Sequence, residues 1–134
     1  MHYPPPAFAF KDSQFIPMRH KQKKVNLVPD KGHQSAIIRN LAMSVIIYEK
    51  IKTTAAKARA VAPFVEKLIN IGKSKEKREA IRLIEEMLQH KNSSRKILEV
   101  LVPKYKDQNG GYIRTLKLGY RSGDNAAVVQ VELV

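Results

Sequence analysis

The chain has 134 residues, 43% of them apolar, with 25 Lys and Arg against 12 Asp and Glu and a formal charge of +13. That length suits one compact domain, the lack of cysteine excludes disulfides and Cys-based zinc sites, and no run reaches the ~20 apolar residues that span a bilayer. Charge in such excess repels itself in a compact state and calls for a polyanionic partner, nucleic acid first and an anionic membrane surface second.

Residues 1–17, MHYPPPAFAFKDSQFIP, are rich in Pro and Phe. They lack the basic start and apolar core of a secretory signal, and three consecutive prolines hold residues 4–6 extended. This extension either docks through Phe8, Phe10, Phe15 and Ile16 or is a tail upstream of a start at Met18. Residues 18–33, MRHKQKKVNLVPDKGH, turn abruptly basic. Arg19, His20, Lys21, Lys23, Lys24 and Lys31 face one acid, Asp30, while Pro29 and Gly32 discourage regular structure. Mutual repulsion predicts an arm that stays extended until an anion compensates it.

A first helix is predicted over 34–48. Ile37, Leu41, Val45 and Tyr48, with Ile38, Ala42 and Ile46, recur at helical spacing. Lys50-Ile-Lys-Thr-Thr54 reads as a short strand, with Thr54 as the N-cap of a second helix over 55–73. There Ala58, Val61, Ala62, Val65, Leu68, Ile69 and Gly72 share a face, Pro63 predicts a kink or break, and Gly72 loosens the end. A third helix over 75–90 turns Ala80, Ile81, Ile84, Met87 and Leu88 inward. A short fourth, capped by Ser93 or Ser94, runs to about Leu101 and ends at Pro103. From Tyr112 the period becomes two, and 127–133 alternate again, predicting a hairpin joined by Gly119-to-Asn125. The expected fold class is α+β: a small mixed three-stranded sheet with about four helices packed on one face, plus an extended basic N-terminal arm. Its organisation is extension 1–17, arm 18–33 and a single globular domain 34–134.

The residues do not assemble a catalytic constellation. His2, His20, His33 and His90 lie at no metal-ligand spacing, and Asp107 and Asp124 read as turn residues. The glycines of Asn109-Gly-Gly-Tyr-Ile-Arg-Thr-Leu-Lys-Leu-Gly-Tyr-Arg-Ser-Gly-Asp-Asn-Ala126 match no phosphate loop, because a strand follows Gly111 where a helix N-terminus is needed. A backbone-directed nucleic-acid footprint remains, with affinity that falls steeply with salt. Tyr112 and Tyr120 either stack on bases or are strand aromatics. Alternation places Arg114 opposite Lys117 and Arg121, and Ile113 on the buried side with Val129, Val131 and Leu133. Lys117 and Arg121 then reach a ligand only near the hairpin tip.

Met18-Arg-His-Lys, Ile38-Arg-Asn-Leu-Ala42, Tyr48-Glu-Lys-Ile-Lys-Thr-Thr54, Ala56-Lys-Ala58, Asn109-Gly-Gly-Tyr-Ile-Arg114, Leu118-Gly119, Gly123-Asp-Asn-Ala126 and Glu132-Leu-Val134 occur in order. Together they resemble the bacterial large-subunit ribosomal protein seventeen family from Met18 to Val134. Lys31-Gly-His-Gln34 stands where that family usually has Ser-Ser-His-Arg. The resemblance implies an α+β fold and a structural, non-enzymatic role. It also implies binding to large-subunit ribosomal RNA beside neighbouring large-subunit proteins near the polypeptide exit tunnel, in a cytoplasmic or organelle ribosome. No membrane, small-molecule substrate, cofactor or metal is expected. The expected RNA-binding set is Arg19, His20, Lys21, Lys23, Lys24, Lys31, His33, Arg39, Lys50, Lys52, Lys57, Arg59, Arg114, Lys117 and Arg121. The competing class is a free-standing nucleic-acid binder without sequence preference.

Overall fold

A computed structural model describes residues 27–134. The extension 1–17 and most of the arm therefore lie outside the described residues.

Helix α1 spans Lys31–Tyr48, beginning three residues before the predicted start. Asp30 is the reason. Its carboxylate accepts the Gly32 and His33 amides at 3.2 and 3.0 Å, satisfying donors that a first turn leaves orphaned. Lys31, Gly32 and His33 are thus helical, not part of an extended arm. The buried face of α1 is Ala42, Val45 and Ile46, flanked by half-buried Ile37, Ile38 and Leu41. Tyr48 does not join it: the helix ends there, and its ring is 71% exposed.

Strand β1 (Lys50–Thr54) leads directly into helix α2 (Ala55–Ser74). Thr54 takes the N-cap position, but its hydroxyl makes no cap bond; it is also the last strand residue, paired with Val128. Helix α2 runs unbroken through Pro63, contrary to the predicted break. The carbonyl that loses a partner belongs to exposed Arg59, where water can replace the missing donor. Ala58, Val61, Val65, Leu68 and Ile69 form its buried face.

Helix α3 spans Lys77–Leu88, with Ala80, Ile84 and Leu88 fully buried. Helix α4 (Lys91–Lys96) continues through a π turn (Ile97–Leu101), closed by the Val102 amide on the Ile97 carbonyl, into α5 (Val102–Lys104). The helical path therefore passes Pro103 instead of ending there. Its cap is His90, not Ser93 or Ser94: the Ser93 amide donates to His90 Nδ1 at 3.2 Å. Both serines are buried beneath that cap.

Strands β2 (Ile113–Tyr120) and β3 (Ala127–Leu133) complete a sheet of order β1-β3-β2. Every pairing is antiparallel, so the sheet is not mixed. The hairpin makes β2 and β3 antiparallel, and β1 pairs β3 on its other side. Val129, Val131 and Leu133 enter the same core cluster as α1 and α2, with Ile51 and Ile113 packed against it. The helices cover this face and leave the other open. Tyr112 closes the base of the hairpin, fully buried, its hydroxyl donating to Asn70 Oδ1 at 2.9 Å. Lys73 lies over that ring and donates to the Gln108 carbonyl. The Tyr105 ring packs 5.0 Å from that of Tyr112, and its hydroxyl donates to the Val134 carbonyl at 2.7 Å.

Gly72 does not loosen α2. A Cβ there would lie 2.7 Å from Val102 Cγ2, so its absence lets the π-turn segment close on the helix. Alanine normally gains roughly 1 kcal/mol over glycine inside a helix, but overpacking costs ~1–3 kcal/mol. Gly72→Ala should therefore lower stability by about 1 kcal/mol. Thermal unfolding of the two proteins checks this; an unchanged or higher Tm would show that Val102 yields without cost.

Candidate nucleic-acid interface

Cross-strand partners share a face of a sheet. The register therefore sorts the charges. Lys50 pairs with Glu132 and Glu132 with Arg114; Lys52 pairs with Gln130 and Gln130 with Leu116. All six lie on the open face. Ile51, Thr53, Val129, Val131, Leu133, Ile113, Thr115 and Lys117 lie on the opposite one. Ile113 and Arg114 thus take the expected sides.

Glu132 organises the open face. It is only 3% exposed although it faces away from the helices, because flanking side chains lie over it. Arg114 donates to Oε1 through Nε at 2.9 Å and through Nη2, and Gln130 donates to Oε2 at 2.9 Å. Lys50 Nζ stands 4.0 Å from Oε2. Hydrogen bonding from Arg114, then Gln130, holds the carboxyl below its usual range. Two cations and a neutral amide thus surround one covered carboxylate, and the local charge remains positive.

The other expected residues divide. Lys57 and Arg59 are exposed in the first turns of α2, immediately after β1. Lys117 belongs by register to the helix-side face, yet it is exposed because the helices do not extend beneath the outer part of β2. Arg121 lies beyond the strand and forms a bidentate pair with Asp124: Nε donates to Oδ1 at 3.0 Å and Nη2 to Oδ2. Arg39 is half-buried and turned inward. It donates to the Met87 carbonyl at 3.1 Å and to Gln89 Oε1 at 2.7 Å, closing the C-terminal end of α3. Lys31 and His33 are exposed at the start of α1, about 25 Å along that helix from the residues preceding β1. Arg19, His20, Lys21, Lys23 and Lys24 lie outside the described residues.

Of the candidate aromatics, Tyr112 is fully buried and Tyr120 is 74% exposed. Tyr48, just before Lys50, is an exposed aromatic that helical periodicity assigned to the core. The signal that could have found it was its position at the helix end, beside Glu49, which takes a left-handed backbone with φ 62°. Among the described residues, no group of three or more His, Asp or Glu side chains could hold a metal ion. No described helix is long and apolar enough to cross a membrane.

Asp124 gives a direct pH test. The Arg121 guanidinium, then the Ala126 amide, lowers its pKa to about 2. Its unfolded value lies near 4. A depressed folded pKa means that the pair's contribution is complete above about pH 4 and is lost as pH falls through about 2. Carboxyl NMR should place the Asp124 midpoint near 2. In Arg121→Gln the midpoint should rise toward the ordinary range; an unmoved midpoint would exclude the guanidinium as its main cause.

The model of the family described as "Ribosomal protein L17" matches residues 37–134. The large ribosomal subunit protein bL17 of Agrobacterium fabrum is 38% identical over 120 residues, covering 87% of this chain and 82% of the relative. The bL17 protein of Ehrlichia canis is 37% identical over 120 residues, covering 87% and 91%. That of Endomicrobium trichonymphae is 43% identical over 103 residues, covering 77% and 87%. With the α+β fold in place and these matches spanning most of its length, the chain belongs to the ribosomal protein L17 family and is a structural constituent of the large ribosomal subunit, not an enzyme.

Proposed function

We propose that this protein binds large-subunit ribosomal RNA through the open face of its sheet and organises that RNA near the polypeptide exit tunnel. The observation that carries the reading is the open face itself. Lys50 and Lys52 project from one edge strand and Arg114 from the other, flanking a central-strand carboxylate that is already covered and compensated. Phosphate oxygens would approach cations without meeting an exposed acid on that face. Lys57 and Arg59 continue the charge onto α2, and Lys117 continues it along the hairpin. The arm residues Arg19, His20, Lys21, Lys23 and Lys24 are assigned to the same interface by their charge density, folding onto RNA as phosphates compensate them. Arg39 contributes least, because its donors already close α3. The tunnel-side position follows the family resemblance, with neighbouring large-subunit proteins and the ribosome as the site of action.

Each true phosphate contact adds about one to the salt dependence of binding. Lys52→Ala should therefore lower the slope of log affinity against log salt by about one, and Lys52→Ala with Arg114→Ala by about two. Neither should alter sequence preference. Sedimentation of a lysate should place the wild-type chain stoichiometrically in large subunits. An unchanged slope in the double variant would remove the open face from the interface.

A further inference from the structure

The hairpin carries a register change that alternation alone does not reveal. Lys117 pairs with Val129, but Gly119, not Leu118, pairs with Val128, and Tyr120 with Ala127. Leu118 is the extra residue of a β-bulge. Gly119 accommodates the distortion with φ 127°, a region that suits glycine. Without the bulge, Tyr120 would fall on the face of Arg114 and Leu116. With it, Tyr120 shares a face with Lys117, beyond the edge of the helix layer.

Three features leave the ring available. Its cross-strand partner is alanine, whose methyl covers little of an aromatic face. The backbone beyond it is fixed: the Arg121 amide donates to the Ala126 carbonyl at 2.9 Å, and Asn125 to Arg121 at 3.0 Å. The nearby acid, Asp124, is held by Arg121 and presents little unpaired negative charge. A tyrosine has only two side-chain torsions to immobilise, so a fixed backbone makes it a low-entropy contact.

We propose that Tyr120 is a base-stacking residue for an unpaired nucleotide, with Lys117 on the same face contacting the adjoining phosphate. This rests on the RNA-binding reading above. Every base has a stackable face, so the contact tolerates sequence. Inside a duplex those faces are covered, so it selects for single-stranded RNA.

The test uses the full chain with a short single-stranded oligoribonucleotide of mixed sequence and with the duplex formed by its complement. Tyr120→Ala should weaken single-strand binding about tenfold, leaving duplex binding, the salt slope and the Tm unchanged. Tyr120→Phe should bind as wild type. Lys117→Ala should lower the single-strand salt slope by about one. Equal losses on both RNAs would mean that the ring only supports the hairpin, and would overturn the proposal. Wild-type RNA affinity in Tyr120→Ala, with loss from large subunits, would assign the ring to a protein neighbour and equally overturn it. A wild-type chain that binds neither RNA would refute the underlying reading itself, and stacking with it.

Discussion

A sheet three strands wide has one face beneath its helices and another that must meet something else. The rest of the molecule depends on that asymmetry. Val129, Val131 and Leu133 turn one way into the aliphatic core with α1 and α2. Strand geometry then forces Val128, Gln130 and Glu132 the other way. A carboxylate emerging from the central strand of an open face would repel an anionic ligand. Here the edge strands answer it with Lys50 on one side and Arg114 on the other. The same alternation that builds the core thus sets the electrical character of the surface.

Charge counts treat every Lys and Arg alike, but the fold does not. Arg39 closes the end of α3, Lys73 braces Tyr112, and Lys96 donates to the Ile47 carbonyl while pairing with Glu49 at 2.7 Å. These cations serve helix ends and a buried phenol, where carbonyl dipoles concentrate negative potential. Lys52, Lys57, Arg59 and Lys117 make no ion pair among the described residues. The molecule divides its positive charge into an internal set that ties elements together and an outward set that stays solvated.

Periodicity made the element order and the buried faces of α1, α2, α3 and β3 legible, because helix and strand repeats follow from backbone geometry alone. Ile113 and Arg114 could be placed on opposite faces from spacing. Features set by tertiary contact were hidden. Tyr48 keeps the helical repeat but sits where α1 ends. Thr54 has the chemistry of a cap and the duties of a strand residue, whereas His90 caps α4 through a ring nitrogen that composition does not advertise. Pro63 breaks no helix because the carbonyl it deprives belongs to an exposed residue. The bulge at Leu118 changes the parity of everything after it, and a single residue out of register cannot be seen without its partner strand.

Strand β3 lies between β1 and β2, yet it follows both of them, and every helix, in the chain. During synthesis β1 must therefore wait about seventy-five residues for the strand it pairs with, β3. A nascent chain halted before Ala127 would have its helices but lack the central strand that joins β1 to β2. Lys50 and Arg114 would then have no common platform, and the charges meant for one surface would remain on separate segments. The open face, with its charges gathered on one sheet, is consequently a late product of synthesis: it comes into existence only once β3 has been made.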